Sequence, residues 1–244
     1  MADSPGMVVS AGSAGARTSG SADERSRRWF EVGLVLMVAF GRPILNGLNL
    51  LGNRPAVMPH ISNARWIFSG AQEVIGLVLL GYVLSRRGLK FKNLGLRWSV
   101  RDLSAGFIVA GFAFAAYLTG HMLVHTVHYA VYGSWPQGPT ARDFFGHPAV
   151  AFVPFSLLNP FFEELIVRAY LMTEVVKLTG SSVLAVAVSV AVQTSYLLYY
   201  GWAGAISLSF LFLTFAVYYI RLRQALPIIV AHGFFDMHAL LRLW

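Results

Sequence analysis

Phe161-Phe162-Glu163-Glu164-Leu165-Ile166-Val167-Arg168 puts two adjacent carboxylates and a guanidinium inside a long, mostly apolar stretch, 149–177. An ionisable group at bilayer depth costs about 3 kcal/mol or more unless it is paired or hydrated, so such groups mark functional positions. Residues i and i+4 share a helix face, which makes Glu164 and Arg168 neighbours able to form an ion pair. Glu163 has only Ile166 and Val167 at its own i+3 and i+4 positions. The two acids therefore read differently. Glu164 is held by Arg168, and Glu163 is left to hydrogen-bond a water and take its proton. Pro160 removes a backbone donor just upstream, frees the carbonyl of Ser156 and predicts a kink beside the carboxylates.

The rest of the chain places this stretch in a membrane. Of 244 residues 56% are hydrophobic and 12% charged, whereas a soluble domain carries about 25% charge. Mean hydropathy is +0.60. About 20 apolar residues cross the roughly 30 Å hydrocarbon core, and seven candidate spans follow: 29–50, 65–84, 103–130, 149–177, 182–200, 202–220 and 226–241. The expected fold is all-α, a multi-spanning transmembrane helical bundle of about seven spans. Residues 29–244 form its membrane domain, and a chemically active core lies at about 149–241.

Residues 1–28, rich in Gly, Ser and Ala and ending in Asp23-Glu24-Arg25-Ser26-Arg27-Arg28, read as a disordered tail. A signal peptide with Trp29 to Phe40 as its apolar core is the competing reading, but no small-residue cleavage site follows. The densest basic cluster, Arg86, Arg87, Lys90, Lys92, Arg97 and Arg101, falls between the second and third spans. Placing that loop in the cytoplasm puts 13 of the 19 Lys and Arg residues on one side and 4 on the other. This orientation makes the N-terminus cytoplasmic and predicts a multi-pass protein of a bacterial-type inner membrane, with membrane lipids as its surroundings. The net charge of +8 is spread between apolar segments rather than along one face, which argues against a nucleic acid partner. Gly133 to Pro148, with three prolines, reads as an external loop of turns. Gly180-Ser181-Ser182 reads as a helix cap, and Arg42 and Glu73 on the first two spans read as a buried pair. Without cysteine, thiolate chemistry and Cys-ligated metal sites are excluded. No H-E-x-x-H, G-x-S-x-G or glycine-rich phosphate loop occurs.

A second constellation lies in the last span. His232 and Asp236 are again i and i+4, one helical face carrying an imidazole and a carboxyl group. Polar groups on facing helices build buried sites, so this face is expected to meet that of Glu163.

E-E-x-x-x-R in one span and H-x-x-x-D in the last resemble the CAAX prenyl endopeptidase and bacteriocin-processing family of intramembrane proteases, over roughly Pro154 to Leu240. The resemblance implies an endopeptidase acting on a membrane-associated peptide or protein, with Glu163 activating the attacking water and Glu164 and Arg168 fixing its helix. It also implies that His232 and Asp236 either stabilise the oxyanion or, with Glu163, hold a divalent metal such as zinc. A prenyl group on the substrate is not implied. The chain departs from the pattern in the following span. The family's F-x-x-x-H aligns, through Tyr199 and Gly201, with Gln193 and Leu197, and leucine neither moves protons nor binds metal. Three readings stay open. The chain is a lapsed catalyst serving in binding, immunity or scaffolding; Tyr196 or Gln193 substitutes in part; or a histidine enters from elsewhere. His121, His125 and His128, at i, i+4 and i+7 of the third span, are the available donors. Alone, these three imidazoles would leave an open metal position, or they are simply polar residues near the outer interface.

Overall fold

The computed structural model describes residues 12–52, 61–137 and 150–243, with the side chains of 12–22 and 242–243 left aside. The described chain is all-helical. Helix α1 is Gly12–Gly52, α2 Asn63–Arg86 and α3 Val100–Tyr132. Then comes one unbroken rod: α4, Phe152–Glu163; a π-helical turn, Glu164–Tyr170; and α5, Leu171–Thr179. Helices α6, Ser182–Tyr196, α7, Trp202–Leu222, and α8, Leu226–Leu243, complete the bundle. Four stretches, 23–52, α2, α3 and α7, are long and apolar enough to cross a membrane by length and composition, and α6 and α8 are shorter apolar helices. The protein is a membrane helical bundle.

The helix ends follow from local chemistry. Ser181 caps α6 by accepting from the Leu184 amide at 3.1 Å, as the Gly-Ser-Ser sequence predicts. Gly180, at φ 75°, closes α5 in the left-handed conformation that suits glycine. One expectation needs correction at the N-terminus. Of the tail 1–28 expected to be disordered, the described part from Gly12 on is helical; the Arg28–Glu24 pair at 2.7 Å and the Arg27–Glu31 pair at 3.9 Å are i,i+4 contacts that support a helix. The helix also runs on through Pro43 to Gly52. The loop expected at 133–148 lies mostly outside the described residues.

The rod α4–π–α5 sits in the middle. All seven residues from Glu164 to Tyr170 are buried. Helices α2 and α8 flank α4, α6 lies against α5, α3 packs on α7 and α8, and α1 closes the side next to α6. The outer faces of α1 to α3 expose Phe30, Met37, Phe68, Phe107, Phe112 and Met122. Water would tolerate so continuous an apolar surface poorly, whereas lipid solvates it. Close helix approach at the site depends on Gly76 of α2, where an added Cβ would lie 2.6 Å from a ring carbon of Phe162. At the basic end Arg87 bonds both Glu31 of α1 and Glu174 of α5, the latter at 2.7 Å. Tyr219 of α7 lies 3.2 Å from the Ala169 carbonyl of the π turn.

Candidate active site

The π turn begins four residues after Pro160. Pro160 has no N–H to give, and in a π turn each carbonyl accepts from the fifth residue on, which widens the helix. Both Glu163 and Glu164 turn into the bundle here, although successive α-helical side chains ordinarily diverge by about 100°. Glu164 and Arg168 are fully buried, with Arg168 Nε 3.4 Å from Glu164 Oε2. The expected pair is present, as an ion pair without hydrogen-bond alignment.

The remaining contacts close a ring. Glu164 Oε1 lies 2.8 Å from His232 Nδ1, and a protonated Nδ1 donates to that oxygen. Arg168 Nη1 donates to Gln193 Oε1. That fixes the carboxamide so that Gln193 Nε2 donates to Glu163 Oε2 at 2.7 Å. The Tyr196 hydroxyl donates to the same oxygen at 2.8 Å. Returning to the start, His232 Nε2 stands 3.9 Å from Glu163 Oε2 and 3.7 Å from Asp236 Oδ1. All five residues singled out from the sequence, Glu163, Glu164, Arg168, His232 and Asp236, therefore meet at one place. Phe212 forms a wall, with Arg168 4.8 Å above its ring and His232 edge-on at 5.5 Å. Phe40 stacks on Tyr196 at 4.7 Å.

Other neighbours alter the sequence picture. Glu163 is compensated after all, not by its own helix but by Gln193 and Tyr196 of α6. Leu197 belongs to the hydrophobic core instead, so α6 turns residues 193 and 196 toward the acid, rather than position 197. Asn159, one turn before Glu163, went unnoticed in the sequence. With its carboxamide turned one way, Nδ2 reaches Asp236 Oδ2 at 3.4 Å; turned the other way, it reaches Glu73 Oε1 at 2.8 Å and Glu163 Oε1 at 3.2 Å. Glu73 is thus a buried member of the site and not the partner of Arg42. Arg42 is exposed and makes no ion pair among the described residues. The i,i+4 spacing of Asn159 and Glu163 was the available signal for the first of these residues, and an acid inside a span was the signal for the second.

His121, His125 and His128 stay apart from the site. The His121 and His125 rings lie 3.9 Å apart, and His128 packs 5.5 Å from Trp202 and bonds the Ser134 carbonyl. None of the three touches a site carboxylate. His232 turns Nε2, the ring nitrogen not bonded to Glu164, toward Glu163 and Asp236, the two acids with which the resemblance has it hold a metal. Among the described residues no three His, Asp or Glu side chains are placed to hold a metal ion.

Comparison with known families bears on the same stretch. Residues 145–238 match the family model for type II CAAX prenyl endopeptidase Rce1-like proteins. This is the family that the E-E-x-x-x-R and H-x-x-x-D motifs resemble, and the matched region holds every site residue except Glu73. No curated protein and no solved structure matches the chain.

Proposed function

We propose that the protein is an intramembrane endopeptidase that hydrolyses a peptide bond of a membrane-associated peptide or protein by glutamate-activated water. The observation that carries this reading is the gap between Glu163 Oε2, His232 Nε2 and Asp236 Oδ1. Separations of 3.7 and 3.9 Å are too long for direct hydrogen bonds and suit groups that share one water molecule.

In the proposed reaction Glu163 takes a proton from that water as its oxygen attacks the substrate carbonyl carbon, and the carbonyl π pair moves onto oxygen. Protonated His232, its Nδ1–H held by Glu164, presents Nε2–H to the oxyanion. When the tetrahedral intermediate collapses, the C–N bond breaks and the proton on Glu163 passes to the leaving nitrogen. Arg168 pairs with Glu164 and aims Gln193, while Gln193 and Tyr196 hold the reacting carboxylate still. No imidazole from α6 is required, which accommodates leucine at 197.

The test is release of a fluorescent fragment from a library of membrane-anchored peptides in proteoliposomes. The native chain should cleave members of the library and Glu163→Gln should cleave none, while both elute as the same folded species. Cleavage undiminished in Glu163→Gln refutes the role of Glu163. A native chain that retains peptides but cuts none supports the alternative of a lapsed, peptide-binding relative.

A further inference from the structure

On the side of α6 away from Glu163, a trough of about 790 Å³ runs between α6 and α7. Its floor is apolar and is kept deep by Ala187 and Ala191 of α6, with Leu213 and Val217 of α7 as the facing wall. From Ser182 to Ser195 the trough follows about 20 Å of helix at 1.5 Å per residue. One leaflet of a roughly 30 Å hydrocarbon core spans about 15 Å, so the trough is long enough for a single acyl chain.

The two ends differ chemically. At the far end, Thr194 and Ser195 spend their hydroxyls on the carbonyls of Val190 and Val192, at 2.8 and 2.7 Å, and offer nothing to a ligand. At the near end, Arg221 lines the mouth beside Ser182. Arg221 is exposed and makes no hydrogen bond or ion pair among the described residues. Its neighbour Arg223, by contrast, bonds Thr173 at 3.0 Å and lies over the Tyr219 ring. This is also the basic end of the molecule, where the Gly95 carbonyl accepts from the Ala225 amide at 3.0 Å and brings the basic connection between α2 and α3 alongside. An unpartnered guanidinium over one end of an otherwise apolar trough complements an amphiphile with an anionic head and a single buried tail.

We infer that the α6–α7 trough binds an anionic phospholipid, with its phosphate at Arg221 and one acyl chain laid along Ala187 and Ala191. The inference does not depend on the peptidase reading. The site lies on the opposite face of the helix that presents Gln193 and Tyr196, so lipid there would back that helix without entering the reaction centre.

The test is native mass spectrometry of the full chain released from nanodiscs of equimolar phosphatidylglycerol and phosphatidylcholine. The native protein should retain phosphatidylglycerol at least fivefold over phosphatidylcholine. Arg221→Gln should abolish that preference, Arg221→Lys should keep most of it, and Ala191→Phe should cut total lipid retention severalfold. Because the chain has no cysteine, Ala187→Cys can carry a single bimane, whose fluorescence should be quenched by phosphatidylglycerol brominated along its tail and not by inorganic phosphate. Equal retention of the two lipids by the native chain, an unchanged preference in Arg221→Gln, or bimane insensitive to brominated tails overturns the inference. A dimer broken by Ala191→Phe also overturns it, since a second copy would then cover the trough.

Discussion

Replacing Arg168 by methionine removes the only cation other than His232 that pairs with Glu164 among the described residues, and strands a carboxylate with no solvent exposure. At the observed 3.4 Å, two unit charges in an effective dielectric near 20 attract by about 5 kcal/mol. Breaking one partner of a buried pair typically costs about 3–5 kcal/mol, and the Gln193 carbonyl loses its donor as well. Arg168→Met should therefore lower stability by about 4 kcal/mol. Glu164→Gln with Arg168→Met removes both charges and keeps an acceptor for His232 Nδ1–H, so the double variant should recover at least half of that loss. The measurement is reversible unfolding in bicelles for the native chain, both single variants and the double variant. A single variant within about 1 kcal/mol of native, a typical net worth for one hydrogen bond, would refute the reasoning. So would a double variant no more stable than Arg168→Met alone.

Gly76→Leu drives a side chain into Phe162 and should destabilise by about 1–3 kcal/mol, whereas Gly70→Ala, with open space around its Cβ, should leave the thermal midpoint in detergent within a few degrees of native. Gln193→Leu keeps the volume but leaves Glu163 one donor short and Arg168 without an acceptor; peptide release should fall about 10- to 100-fold, equivalent to about 1.4–2.7 kcal/mol, with KM nearly unchanged in steady-state assays. Leu197→His places an imidazole in the hydrophobic core rather than against Glu163, so it should lower the unfolding midpoint and leave the release rate of the remaining folded protein no higher than native. Asn159→Leu deprives Glu73, Glu163 and Asp236 of their shared amide, and its turnover should drop at least tenfold in the same assay.

The helical spans and the five polar residues within them were legible because both signals are local. Apolar length fixes a span, and i,i+4 spacing fixes which polar groups share a face, as with Glu164 and Arg168 or His232 and Asp236. Contacts between helices carry no such period. That α6 would supply Gln193 and Tyr196 to Glu163, and that α2 would supply Glu73 to Asn159, depends on how the helices rotate against one another. The π turn matters most here, because a 3.6-residue period carried through it misplaces the faces of α5 relative to those of α4. The pairing of Arg42 with Glu73 failed for the same reason: sharing two adjacent spans does not set the direction in which each side chain points. The early start of α1 was obscured by a composition of small residues.

The rod that carries the carboxylates also carries Glu174, which Arg87 ties to α1 at the basic rim. The π turn lies between the two, and it sets the angular offset between an inward-facing reaction centre and an anchor facing a different neighbour. Returning 164–170 to an ordinary helical pitch at unchanged length would swing one end relative to the other by on the order of 100°, since each π-helical residue turns through less than an α-helical one. Either the anchor or the acids would then face the wrong way. The stretch between Glu164 and Tyr170 is therefore constrained in its helical pitch as well as in the kind of its residues.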